Sequence, residues 1–180
     1  MGILDLIKNK LNSNKRPRDE EFNSYLLGAR NNMKLTSEYI TRFLDSVKDF
    51  QPAKRHEELY HIEVRNRLLA IKSGLHKGMV FIDEKTNNEI NTMNPIRSPS
   101  QLREMVETWA KHIKVDDEKV YDILKILQVE MWSEEKIRRG FPAPQNKEII
   151  CGYLSSAANY LIEARNHIDN YISMVSAPQA

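Results

Sequence analysis

The feature that most constrains this chain is an apolar seam near its C-terminal end. Ile150, Leu154, Ala157, Leu161, Ala164, Ile168, Tyr171 and Val175 follow one another at alternating steps of four and three. That period keeps one stripe of a helix against a neighbouring helix, so residues 146–175 must find a long helical partner. One is available in the same chain: Phe22, Leu26, Ala29, Met33, Thr36, Ile40, Phe43, Val47 and Phe50 repeat the spacing. The two stretches share a short string in the same phase, Leu26-Leu27-Gly28-Ala29-Arg30-Asn31 and Leu161-Ile162-Glu163-Ala164-Arg165-Asn166. The expected fold is mainly α, an elongated bundle around two long antiparallel helices.

A chain of 180 residues suits one helical domain over 19–180 with an appendage over 1–18. With 41% apolar and 29% charged residues it matches long helices with much surface for their volume. A formal charge of +2 is too small to argue for nucleic acid by itself. The single cysteine, Cys151, rules out an internal disulfide and a multi-cysteine metal site. No apolar run reaches the roughly 20 residues of a membrane span or forms a secretory leader, and Leu6 stands where a myristoylation signal carries Ser or Thr. A soluble, cytoplasmic protein is expected.

Residues 2–11 read as a small amphipathic helix with Ile3, Leu4, Ile7 and Leu11 on one face, followed by a polar tether from Asn12 to Arg18. So short a helix is unstable alone and needs a surface: its own bundle, a partner protein or an anionic membrane. The first long helix starts near Asp19-Glu20-Glu21 and ends before Pro52. A further helix over 53–75 continues a seam through Val64, Leu68, Ile71 and Leu75. Leu59, Ile62 and Leu69 broaden its apolar face, and Gly74 and Gly78 bracket its end.

The period then changes. Met79-Val80-Phe81-Ile82-Asp83 and Glu89-Ile90-Asn91-Thr92-Met93, joined across Asn87-Asn88, predict a β-hairpin inserted at about 79–93. Ser98-Pro99-Ser100-Gln101 starts a helix running to about Ile113, and Asp116 caps the next one, which extends to Met131. Ser133 opens a short helical turn that stops at Gly140, and Phe141-Pro142-Ala143-Pro144 is a rigid elbow back to the last helix.

Chemistry is sparse. His56 and His61 are five apart and cannot share a helix face around one metal, as a zincin requires. Glu58 and His61 have the Glu-x-x-His spacing of di-iron bundles, but no second such pair follows. No glycine-rich phosphate loop or nucleophile elbow is present, so neither a metal nor a cofactor is expected. Arg55-His56, followed after four residues by His61, resembles the Arg-polar-x-His motif of HEPN ribonucleases. That resemblance implies a helical bundle that dimerises to act on RNA, with Arg55 steadying the phosphate and His61 as acid or base. It covers seven residues, and the motif usually lies on the last helix of that fold, whereas here further helices follow.

Lys15, Arg16, Arg18, Lys54, Arg55, Arg138 and Arg139 would form a nucleic-acid stripe if they converged. The outward face of the last helix carries Gly152, Ser155, Ser156, Asn159, Asn166, Asn170 and Ser173, with hardly any charge. Small side chains and asparagines suit a contact with another chain, through Ser155, Asn159, Asn166 and Asn170 together with the arm. The expected function is therefore a non-catalytic binding or assembly subunit of a larger complex, through a protein partner or self-association. The alternatives are a nucleic-acid-binding protein and a HEPN-like ribonuclease.

Overall fold

A computed structural model describes residues 17–50, 55–87 and 99–176, and these are helical almost throughout. Among the described residues five α-helices follow in order: α1 (Pro17–Val47), α2 (Arg55–Asn87), α3 (Pro99–Lys125), α4 (Glu134–Arg138) and α5 (Lys147–Ser176). Among the described residues no strand occurs, and no helix is long and apolar enough to cross a membrane. The arm residues Ile3, Leu4, Ile7 and Leu11 lie outside the described residues.

α1 and α5 form the spine. Leu26, Ala29, Met33, Thr36, Ile40 and Phe43 are buried on α1, and Ile150, Leu154, Ala157, Leu161, Ala164, Ile168 and Tyr171 on α5. The pairing is antiparallel: Gly28 lies against His167, Thr36 against Ala157, and Tyr39 against Tyr153. Ala29, Ala157 and Ala164 are wholly buried, and their size lets the two backbones approach. Thr36, the buried polar residue of the seam, donates its hydroxyl to the Asn32 carbonyl at 2.9 Å and leans towards the Ala157 carbonyl at 3.4 Å. Helix α1 starts two residues earlier than Asp19, because Pro17 fits the first helical position, where no N–H is needed.

α2 folds back along α1. The Arg30 guanidinium forks onto the Asp83 carboxylate, with Nη2 to Oδ2 at 2.9 Å, and Lys72 Nζ donates to the Thr41 hydroxyl at 2.6 Å. This contact corrects the expected hairpin. Met79–Asn87 is the last part of α2, and only 88–93 lies outside the described residues. A five-residue run of strand formers has weak local preference. Ile82, seven residues after Leu75, instead buries itself in the same seam, and Asp83 reaches Arg30 one residue later. Gly74 and Gly78 are accommodated inside the helix rather than ending it.

A second correction concerns α3, which runs without a break through Asp116. Asp116 pairs with Lys119 at 3.6 Å and Asp117 with Arg165 of α5 at 3.9 Å, so neither carboxylate caps a new helix. The helix then widens into a π-type segment over Ile126–Met131, closed by Trp132 N–H donating to the Leu127 carbonyl five residues back at 2.7 Å. The Ser133 hydroxyl caps α4 at Lys136 N, Gly140 takes φ +82°, and the chain turns through 141–144 into α5.

A Cβ added at Gly28 would lie 2.6 Å from His167 Cε1, so the imidazole occupies the space a larger residue needs. Gly28→Ala is expected to lose about 1–3 kcal/mol despite its better helix propensity. In the double variant with His167→Ala the clash is gone and most of that loss is recovered. Additive losses in thermal or urea unfolding would contradict this packing. Ala164→Phe, overfilling a wholly buried site, is expected to cost a similar amount.

Candidate functional site

The solvent-facing stripe of α5 runs Ile149, Gly152, Ser156, Asn159, Glu163, Asn166, Asn170 and Ser173, again at steps of three and four. Seven of these eight are exposed, Ser156 is half-buried, and Glu163 is the single charge. Asn159, Asn166 and Asn170 therefore share one face. Ser155 does not join them: it is half-buried beside the seam and donates its hydroxyl to the Cys151 carbonyl at 3.3 Å. A shallow depression of about 340 Å³ is lined by Ser156, Asn159, Tyr160, Ile162 and Glu163. The contrast with α3 is internal to the molecule. The exposed positions of α3 include Lys111, Lys114, Glu118, Lys119, Asp122 and Lys125, the usual composition of a solvated helix.

Helix α2 has a feature that the reading of one broad apolar face did not find. Ile62 and Leu69 point away from the core and are 49% and 43% exposed, as is Val80 at 41%. They lie about 200° round the helix from Val64, Ile71 and Ile82, at roughly 100° per residue. Sorting the apolar residues into two heptad phases instead of one would have separated them.

The residues of the Arg-polar-x-His resemblance sit where α1 turns into α2. The His61 ring lies 5.2 Å from Phe50 and 6.2 Å from Trp132, a half-buried position in an aromatic cluster that ties the α1–α2 turn to the end of the π segment. Arg55 begins α2, and its side chain is outside the described residues, as are Lys15, Arg16, Lys54 and the side chain of Arg18. Arg138 and Arg139 are exposed, but each pairs one turn back, with Glu134 at 3.0 Å and Glu135 at 2.7 Å. The α4 basic pair is thus matched by acids on the same helix.

A cavity of about 260 Å³ between α2 and α3 brings together Met33, Gly74, Lys77, His112 and Asp116. Burial pushes the Asp116 carboxyl above its ordinary value, with Lys119 and then His112 acting the other way. Burial likewise raises Asp117, against the opposing charge of Arg165. Among the described residues no cluster of three or more His, Cys, Asp or Glu side chains is placed to hold a metal ion. Cys151 is buried, and burial followed by the Glu148 charge pushes its thiol up, away from the reactive thiolate. No family model, characterised protein or solved structure matches the chain.

The Asp116 environment sets a pH dependence. A carboxyl whose folded-state pKa is raised favours the fold most below its unfolded value near 4, and that contribution is lost as pH rises through the folded value. Asp116→Asn stays neutral at every pH. Its melting temperature should therefore gain on the parent protein as pH rises from about 4 to 7. A gap that stays constant or narrows over that range would show that the carboxyl does not sit in a desolvating site.

Proposed function

We propose that this chain is a non-catalytic helical subunit that binds other protein chains through the solvent face of α5. The observation that carries the reading is the near-uncharged exposed stripe Gly152, Asn159, Asn166, Asn170 and Ser173, on a chain in which 29% of residues are charged. Short polar side chains lose little entropy when covered, and asparagine amides can donate and accept across a contact. An interface core disfavours lysine and glutamate, and this stripe carries no lysine or arginine and one glutamate, Glu163. The spine suits the role, because a face built on a long buried helix is held rigid before any partner arrives.

The test is native mass spectrometry of complexes recovered with the tagged chain, alongside Asn159→Lys/Asn166→Lys. Both sites are exposed, so the variant should melt within a degree or two of the parent. The species heavier than the chain should disappear or fall at least tenfold in the variant. Complexes of unchanged mass and yield would sink the α5 reading.

A further inference from the structure

α2 is a helix with two seams. Its inner seam, Val64, Leu68, Ile71, Leu75, Gly78 and Ile82, is buried. Its outer seam, Ile62, Asn66, Leu69, Ser73, His76 and Val80, is exposed at every position and recurs at the same steps of four and three. None of these six side chains is an acid, a lysine or an arginine, and the seam spans about 27 Å. A period of 3.5 residues on an exposed face is the pattern of a helix that meets another helix.

We propose that the outer seam of α2 is an isologous interface with a second copy of this chain, the two α2 helices running antiparallel about a two-fold axis level with Ile71. The inference rests on reading the chain as an assembly subunit, and it names the partner. In that register Ile62 lies on the partner's Val80, apolar against apolar. Asn66 meets the partner's His76, an amide beside an imidazole that can share a hydrogen bond. Leu69 meets the partner's Ser73, large against small, and symmetry repeats each layer. Beside the seam Glu63 faces the partner's Lys77, opposite charges that occur twice. Lys77 has no ion pair among the described residues, and Glu63 has an exposed pair with Arg67 one turn on. Lys72 would approach the partner's Lys72, but its ammonium is turned back to the Thr41 hydroxyl of α1 at 2.6 Å.

The parallel arrangement would stack Ile62, Leu69 and Val80 each on its own copy, but it fails on charge. It stacks Ser73 on the partner's Ser73, sets Lys72 beside the partner's Lys77, and puts no opposite charges across the seam. One helix face of this length makes a contact at the small end of specific interfaces, so the dimer should depend on concentration.

The experiment is sedimentation equilibrium of the full chain over a wide concentration range. The apparent mass should climb from one chain towards two. Leu69→Lys should abolish the climb without changing the helical melt, since residue 69 is exposed. Glu63→Lys and Lys77→Glu should each weaken dimerisation roughly tenfold, because each sets like charges together twice. An equimolar mixture of those two proteins should regain the parent's affinity, because each heterodimer restores opposite charges at both positions. A monomer at all concentrations, a dimer indifferent to Leu69→Lys, or a mixture no tighter than its components would overturn the proposal. A dimer that survives Leu69→Lys but is lost in Asn159→Lys/Asn166→Lys would leave the assembly reading standing and move the interface to α5.

Discussion

The structure depends on the close antiparallel approach of α1 and α5. Alanines at 29, 157 and 164 bring the helices near enough for Leu26, Met33, Ile40 and Phe43 to interlock with Leu154, Leu161 and Ile168. Each fully buried aliphatic or aromatic side chain of this size contributes on the order of 1.5–3 kcal/mol. The seam is continuous over most of both helices, so it outweighs the local penalties elsewhere in the chain. Gly28 belongs to the same logic, a missing side chain whose space is filled by His167 from the opposite helix.

The other helices are held by fewer devices and are correspondingly more available. α3 packs on α5 and is tied across by Asp117 and Arg165, with Ile113, Val120 and Ile123 turned inward together with Leu127 of the π segment. α2 rests mainly on α1, pinned at one end by the Arg30–Asp83 fork, in the middle by Lys72 and Thr41, and at the other end by the Phe50–His61–Trp132 cluster. Among the described residues nothing covers its opposite side. A helix with one seam in the core and a second in solvent is fixed in place by the first and free to engage through the second. The proposed roles of α2 and α5 both follow from that division between a rigid spine and uncovered faces.

What could be read from the residues was what repeats or what is chemically local. The seam of α5 and its echo in α1 are sustained over many turns, and no competing pattern interrupts them. The Ser133 cap, the stop at Gly140 and the elbow at 141–144 depend on side chains a few positions apart. The misreadings came where local preference and distant partners disagree. Met79–Asp83 has strand-forming residues, but its fate was decided by Arg30, more than fifty positions earlier. Asp116 has a capping side chain, but its neighbour Asp117 pairs with Arg165, almost fifty positions later, and the helix continues. Ile62 and Leu69 looked like the margin of one apolar face because nothing in their own neighbourhood says that α2 has only one large packing partner. On α5 the residues show which side chains share the exposed face and that charge is scarce there, Glu163 being the one acid of the stripe. Ser155 is half-buried because it sits about 40–60° round the helix from Asn159 and Gly152, at the margin of that face.

The central claim is that α1 and α5 form one cooperative spine on which α2 is a more loosely held, two-faced addition. Native-state hydrogen exchange measured helix by helix tests it most directly. Amides in the middle of α1 (about 29–43) and of α5 (about 154–168) should exchange slowest. They should do so with the same opening free energy and the same denaturant dependence, as expected for global unfolding. Amides of α2 should open at a distinctly lower free energy by a partial unfolding that leaves the spine closed. If α2 proves as protected as α5, or if α1 and α5 open independently of each other, the spine is not what holds this fold together.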